Sequence, residues 1–213
     1  MGELAGAGGK DGCVEDESDA RAIEASLREP ARFGVLFDRH ATVLHRYVVR
    51  RLGPDEAEAM VGDIFRIAFE RRATYDLSRP AARPWLYGIA TNLVAKHRRG
   101  EARRLRAVAR LAAQRLPPMD IADRVTLEVD AADVWPRVVD AVTALPEPER
   151  DALMLHVWEG LSYEEVADAL GVPIGTVRSR LHRARQRLRG LAAASGGDDV
   201  EHITDRRPGR IQS

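Results

Sequence analysis

The segment from residue 162 to 189 constrains this chain more than any other, because nearly every position in it fits one supersecondary unit. Ser162, with Glu165 three residues on, forms a capping box, in which each side chain satisfies a backbone N–H that the first helical turn leaves without a partner. Val166, Ala167 and Leu170 then share one face, and Gly171 supplies the left-handed turn that ends the helix. Ala167 is small where a second helix must cross close by. Pro173 begins that helix, at a position where its missing N–H costs nothing. Val177, Leu181, Ala184 and Leu188 point inward from it, while Arg178, Ser179, His182, Arg183 and Arg185 point outward. The pattern is a helix-turn-helix whose second helix presents basic and hydrogen-bonding groups at the spacing of a major-groove reader. A plain helical hairpin gives no packing reason for so many outward arginines.

Upstream, apolar residues recur three or four apart in three further stripes. Phe33, Leu36, Phe37, His40, Leu44, Tyr47 and Val48 form the first, which Gly53-Pro54 interrupts. Ala57, Met60, Val61, Ile64, Phe65, Ala68 and Phe69 form the second. Residues 75–84 read as a loop, fixed by Pro80 and Pro84 and by the turn formers Asp76 and Ser78. Trp85, Leu86, Ile89, Ala90, Leu93, Val94 and His97 form the third stripe, with Trp85 placed in the core. Three amphipathic helices of this length can bury a shared core. Residues 107–132 lose the period and contain Pro117-Pro118, so they read as a linker, with room for a short helix over 103–114. A second helical unit opens near Asp133 with Val134, Val138, Ala141, Val142 and Leu145. Pro146 and Pro148 mark the next helix start, with Glu147 and Glu149 at the positive end of its dipole. The expected fold is all-α: two small helical bundles joined by a flexible linker, the second containing the helix-turn-helix.

Charge is balanced overall, with Lys and Arg totalling 33 against 33 Asp and Glu, but it is unevenly placed. Residues 94–110 hold Lys96, Arg98, Arg99, Arg103, Arg104, Arg106 and Arg110 against Glu101 alone. Residues 176–189 hold Arg178, Arg180, Arg183, Arg185, Arg187 and Arg189 with no acid. Two separate basic blocks suggest two contacts with a polyanion. The opening is acidic, Gly- and Ala-rich and without apolar period, so residues 1–27 are expected to be a disordered acidic segment and 192–213 a flexible tail. Apolar runs are far shorter than the ~20 residues a membrane span needs, and no signal peptide opens the chain. The single cysteine, Cys13, forms no internal disulfide and no Cys-based zinc site, and the histidines show no ligand spacing. The expectation is a cytoplasmic protein with no membrane insertion, no metal and no cofactor.

From Leu145-Pro146 to Arg189, through Gly160-Leu161-Ser162-Tyr163-Glu164-Glu165 and Gly175-Thr176-Val177-Arg178-Ser179-Arg180-Leu181, the chain resembles region 4 of a bacterial RNA polymerase sigma factor of the extracytoplasmic-function (ECF) group, sigma-70 family. Phe33-Leu36-Phe37 and the stripe over 57–72 resemble the start of region 2, and Trp85 to Asn92 resembles its promoter-melting segment. The resemblance implies region 2 over 28–106, a linker over 107–132 and region 4 over 133–191. It implies core RNA polymerase and promoter DNA as partners, with an anti-sigma factor left open, and no catalytic residues. It places Thr176, Arg178, Ser179, Arg180, His182 and Arg183 on the minus-thirty-five element. It places Tyr75 and Asn92 on unpaired bases of the minus-ten element, whose π faces and edges a loop can capture. Lys96, Arg98, Arg99, Arg103 and Arg104 fall on phosphates, which position without specifying sequence. Polymerase docking falls on Asp63, Arg66 and Glu70, although Ala59-Met60-Val61-Gly62-Asp63 keeps only the final acid of the family's usual pattern.

Two rival functions have testable signatures. A helix-turn-helix regulator acting as a dimer without polymerase requires a dimer interface and leaves the segment from Trp85 to Asn92 unexplained. A nucleic-acid hydrolase requires a carboxylate cluster or a nucleophile–base pair, and the sequence offers none at recognisable spacing.

Overall fold

The computed structural model describes residues 17–113 and 140–194, with side chains described for 17–107 and 140–190. Among these residues there are helices and turns but no strand. We number the α-helices α1 (Asp19–Ser26), α2 (Gly34–Leu52), α3 (Ala57–Arg71), α4 (Arg83–Ala113), α5 (Glu147–Leu153), α6 (Tyr163–Leu170) and α7 (Ile174–Ala194).

In the first half, α2, α3 and α4 bury the faces that the apolar stripes predict. Leu36, Leu44, Tyr47 and Val48 of α2 meet Met60, Val61, Ile64, Phe65 and Ala68 of α3, and Leu86, Ile89, Ala90 and Val94 of α4. Gly53 ends α2 at φ 95°, a left-handed position that suits glycine, and its N–H returns to Val49 O at 2.9 Å. Phe37 departs from its stripe: it is 48% exposed and leans on Phe65 with ring centroids 4.9 Å apart.

Three boundaries differ from the sequence reading. Residues 19–26 form α1 instead of continuing a disordered segment; Ser18 caps the helix, and Ala22 and Ile23 are fully buried. Its apolar face is too short to stand out as a period, so its burial comes from what it docks on. The earlier part of the acidic segment, 1–16, lies outside the described residues. The short helix allowed over 103–114 is present as the unbroken end of α4, which runs to Ala113 into the expected linker, and α7 runs to Ala194, into the expected tail. The remaining linker residues to 132, with 133–139 of the second unit, and the tail from 195 on lie outside the described residues.

In the second half, Val142 and Leu145 are buried beside α5, with Pro148 in its first turn and Glu147 and Glu149 at its positive end. A single π turn, Met154–Trp158, follows, and its i→i+5 bond from Glu159 N–H to Met154 O (3.2 Å) swings Glu159 inward. The capping box of Ser162 and Glu165 is present in both directions, at 3.1 and 2.8 Å. Gly171 sits at φ 62°, ψ 38°, and Val172 N–H closes on Ala167 O at 3.0 Å. Val177, Leu181, Ala184 and Leu188 are all buried, as the helix-turn-helix pattern requires. The apolar cores of the two halves are contiguous, because α6 packs directly across α4.

Candidate nucleic-acid interface

The buried edge of α7 fixes which of its side chains face solvent. Arg178, Ser179, His182 and Arg183 are exposed, and Thr176 and Arg180 are half-buried at its margins. Ser179 Oγ donates to Thr176 O at 2.9 Å, a local bond that leaves the hydroxyl oxygen able to accept. Arg183 is tethered: its Nε pairs with the buried Glu149 at 3.2 Å, while Arg187 pairs with the same carboxylate at 3.0 Å. Glu149 of α5 therefore orients one edge of α7, a role that sequence spacing did not reveal.

The second basic surface lies along α4. Asn92, Lys96, Arg99 and Arg103 are exposed, as is Arg104 beyond them. Arg98 is different. It is half-buried and donates to Arg51 O at 2.6 Å, and burial together with the neighbouring Arg150 and Arg51 cations lowers its pKa. Tyr75, expected at a base, is buried: its hydroxyl donates toward Arg79 O (2.7 Å) and Ala81 O (3.0 Å) and its ring lies 5.0 Å from that of Trp85. Burial pushes its pKa up to about 12. Trp85 is half-buried against the core. The loop outside Tyr75 is exposed, with Asp76 capping Ser78 through N–H and Oγ at 3.1 and 2.7 Å.

The halves meet through a set of buried charges that the sequence analysis did not single out. Arg51 of α2, its side chain 1% exposed, pairs with Asp151 of α5, and Arg50 pairs with Glu159. Tyr87 donates to Glu159 and Arg83 donates to its backbone carbonyl. Arg79 pairs with Asp168 across a cleft of about 720 Å³ that separates the 75–84 loop from α6 and its turn. At the centre, Gly88 of α4 lies so near α6 that a Cβ there would stand 2.6 Å from Ala169 O. Burial raises the pKa of Asp151, with the Arg51 cation opposing it, and burial with the Glu159 carboxylate raises that of Tyr87. Such pairs contribute little net stability but are costly to break singly, since each partner left behind is a buried charge.

On the opposite side of the first half, Arg66 bridges Asp63 (3.1 Å) and Glu70 (2.9 Å) along exposed α3, and Phe37 with Val61 and Gly62 borders an open groove between α2 and α3. The three expected docking residues thus share one exposed face. Among the described residues no group of three or more His, Cys, Asp or Glu is placed to hold a metal ion, and no helix is long and apolar enough to cross a membrane.

Comparison with known proteins places both halves. Residues 36–104 match the family model for sigma-70 region 2, and residues 137–188 match that for sigma-70, region 4. The chain is 33% identical over 172 residues to the ECF RNA polymerase sigma factor SigL of Mycobacterium tuberculosis, covering 80% of this chain and 94% of the relative. It is 28% identical over 186 residues to the ECF RNA polymerase sigma factor SigK of Mycobacterium sp. strain JLS, covering 86% and 93%. In structure it is similar to CnrH solved in complex with the cytosolic domain of CnrY, with TM-score 0.58 and 25% identity over 84% of this chain and 99% of that one. It also shares its fold with the sigma factor RpoE in complex with the anti-sigma factor NepR from Bartonella quintana, with TM-score 0.54 and 24% identity over 76% and 96%.

Proposed function

Since the chain belongs to the ECF group of the sigma-70 family, we propose that its two halves divide the reading of a promoter between them. As a sigma factor it associates with core RNA polymerase and directs promoter-dependent initiation, a regulatory part that needs no catalytic residues of its own. The first half docks through the α2–α3 face that carries Phe37, Asp63, Arg66 and Glu70, and lays α4 and the 75–84 loop on the minus-ten element. The second half reads the minus-thirty-five element with α7. The observation that carries this reading is the split of α7 into a buried edge of Val177, Leu181, Ala184 and Leu188 and an exposed row of Arg178, Ser179, His182 and Arg183. A dimeric regulator acting without polymerase is not favoured, because it gives the region 2 match over 36–104 no purpose. The protein acts where polymerase and chromosome are, in the cytoplasm. An anti-sigma factor is a further partner of this class, given the complex in which RpoE was solved.

The packed arrangement of the halves must part for this work. Promoter elements just under two turns apart need roughly 60–70 Å at ~34–36 Å per turn. With 107–113 in α4, those residues advance only ~1.5 Å each, and the rest to 132 reach at most ~3.3 Å each, so the connection spans roughly 70 Å. That is enough to bridge the two elements, with little slack.

The test sets one base-facing residue against one phosphate-facing residue. Arg178→Ala is expected to cost ~1–3 kcal/mol at one promoter position and to relax preference there. Arg99→Ala is expected to weaken all promoters alike and to lower the salt dependence by about one phosphate. Holoenzyme binding to a promoter library at several salt concentrations reads both. If Arg178→Ala shifts all sequences uniformly, α7 does not read bases.

A further inference from the structure

We propose that Asp19 of α1 is a positioning residue for promoter recognition: it fixes from behind the 75–82 loop that the first half presents to the minus-ten element. The proposal rests on the reading of that loop given above, and extends it to a residue outside the segment matching region 2, which begins at residue 36.

Within itself the loop makes few bonds, and its outer Arg79 pairs with Asp76 and, across the cleft, with Asp168. Asp76 orders the turn through Ser78, and the Tyr75 hydroxyl bonds the carbonyls of Arg79 and Ala81 from within. Pro80 has no N–H to contribute. The exit from the loop is held by α1. Ala20 N–H donates to Pro80 O at 3.3 Å, and Ala82 N–H donates to Asp19 Oδ2 at 2.9 Å. The same carboxylate takes His40 Nε2 of α2 at 2.8 Å and Arg39 at 3.0 Å on its other oxygen. One side chain, 9% exposed, therefore ties the loop's exit and the first turn of α4 to the bundle.

The consequence is preorganisation. Residues 76–81 are exposed, with Leu77 44% exposed at the tip, so the loop offers its outer face while its inner face is bonded to α1 and to Tyr75. A base taken out of the stack is captured selectively where the receiving groups are already fixed, because a loose loop can rearrange to accept other bases and also loses affinity to its own ordering. Tyr75, being buried, joins Asp19 as a second brace in this arrangement, and the exposed Leu77 and Ser78 are left to meet the base, joined by Arg79 once the halves part and release it from Asp168.

The experiment uses the full chain assembled with core polymerase and a promoter library randomised across the minus-ten element, comparing Asp19→Ala, Asp19→Asn, Ser78→Ala and the parent. Asn keeps one oxygen to accept from Ala82 N–H and serves as the conservative rescue. Asp19→Ala is expected to lower discrimination at one or two minus-ten positions at least fivefold with affinity for core polymerase unchanged. It is also expected to accelerate hydrogen exchange of the Ala82 amide at least tenfold while α2 and α3 core amides hold. Asp19→Asn should keep discrimination within about twofold of the parent. Unchanged discrimination in Asp19→Ala, with the Ala82 amide released, would overturn the proposal. Parallel loss of core affinity and discrimination in both Asp19 variants would also overturn it, marking Asp19 as a purely structural residue. Ser78→Ala separates the two layers of the argument. If it changes base preference but Asp19→Ala does not, the positioning role fails alone. If Ser78→Ala changes nothing either, the reading of the loop fails and the proposal falls with it.

Discussion

Gly88 is where the packing of the two halves is most sensitive to one atom. An alanine there places Cβ 2.6 Å from Ala169 O, and ordinary contact begins near 3.4 Å, so α4 and α6 must separate by about 0.8 Å. The obstacle is a backbone carbonyl, which no rotamer change can move aside. The displacement loosens a contact between halves that Tyr87–Glu159 and Arg51–Asp151 also hold together. Overpacking of this kind costs ~1–3 kcal/mol, which shifts the equilibrium between packed and parted halves by roughly 5–150-fold. Within the first half the change is favourable, since Gly88 meets only Ala169 and alanine gains ~0.8–1 kcal/mol of helix propensity over glycine. The expected outcome of Gly88→Ala is thus a larger radius of gyration by small-angle scattering and a lower transfer efficiency between dyes on Glu70→Cys and Gln186→Cys, in a Cys13→Ser background. Helicity by circular dichroism should not fall. Scattering and transfer efficiency identical to the parent would refute the reasoning, because backbones that tolerate the extra methyl are not in contact as described.

Two further outcomes follow from particular groups. For Asp19, burial alone would raise the pKa, but the bonds from His40, the Ala82 amide and Arg39 prevail and hold it at about 2 against the ordinary 3.8. At ~1.36 kcal/mol per tenfold change in proton affinity, that gap contributes about 2 kcal/mol, present above pH ~4 and lost as pH falls through about 2. Asp151, with its pKa raised by burial, contributes in the opposite sense, so the measurement is the difference in acid unfolding between the parent and Asp19→Asn, which should vanish near pH 2. Ser162→Ala removes one arm of the capping box and should destabilise the second half by about 1 kcal/mol in urea unfolding, with Glu165→Ala adding little on top of it.

The features legible in the sequence are those set by local periodicity and turn chemistry. The stripes on α2, α3, α4 and α7 predict the buried faces because an amphipathic helix has one way to hide its apolar side. Ser162, Glu165 and Gly171 predict their own caps because each supplies a backbone requirement that few residues meet. What was not legible depends on partners distant in the chain. Nothing local in the sequence marks Arg51, Asp151 and Glu159 as buried, because α5 and the π turn bring their partners from far along the chain. Tyr87 lies off the stripe of α4 because it faces the other half. Phe37 fits its stripe by spacing yet stands at the rim of the α2–α3 groove. Tyr75 has the chemistry of a base stacker, but its hydroxyl finds the loop carbonyls first. α1 is too short to show a period, and its order comes from the Ser18 cap, the burial of Ala22 and Ile23, and the Asp19 contacts with His40 and Ala82.

Run-off transcription with purified core polymerase and fragments of the host genome tests the central assignment most directly. The account predicts discrete transcripts that require this chain, arise from promoters sharing minus-thirty-five and minus-ten elements, and disappear when Arg178 and Ser179 are both replaced by alanine. An absence of chain-dependent initiation, together with binding to duplex DNA as a dimer in sedimentation, would contradict it.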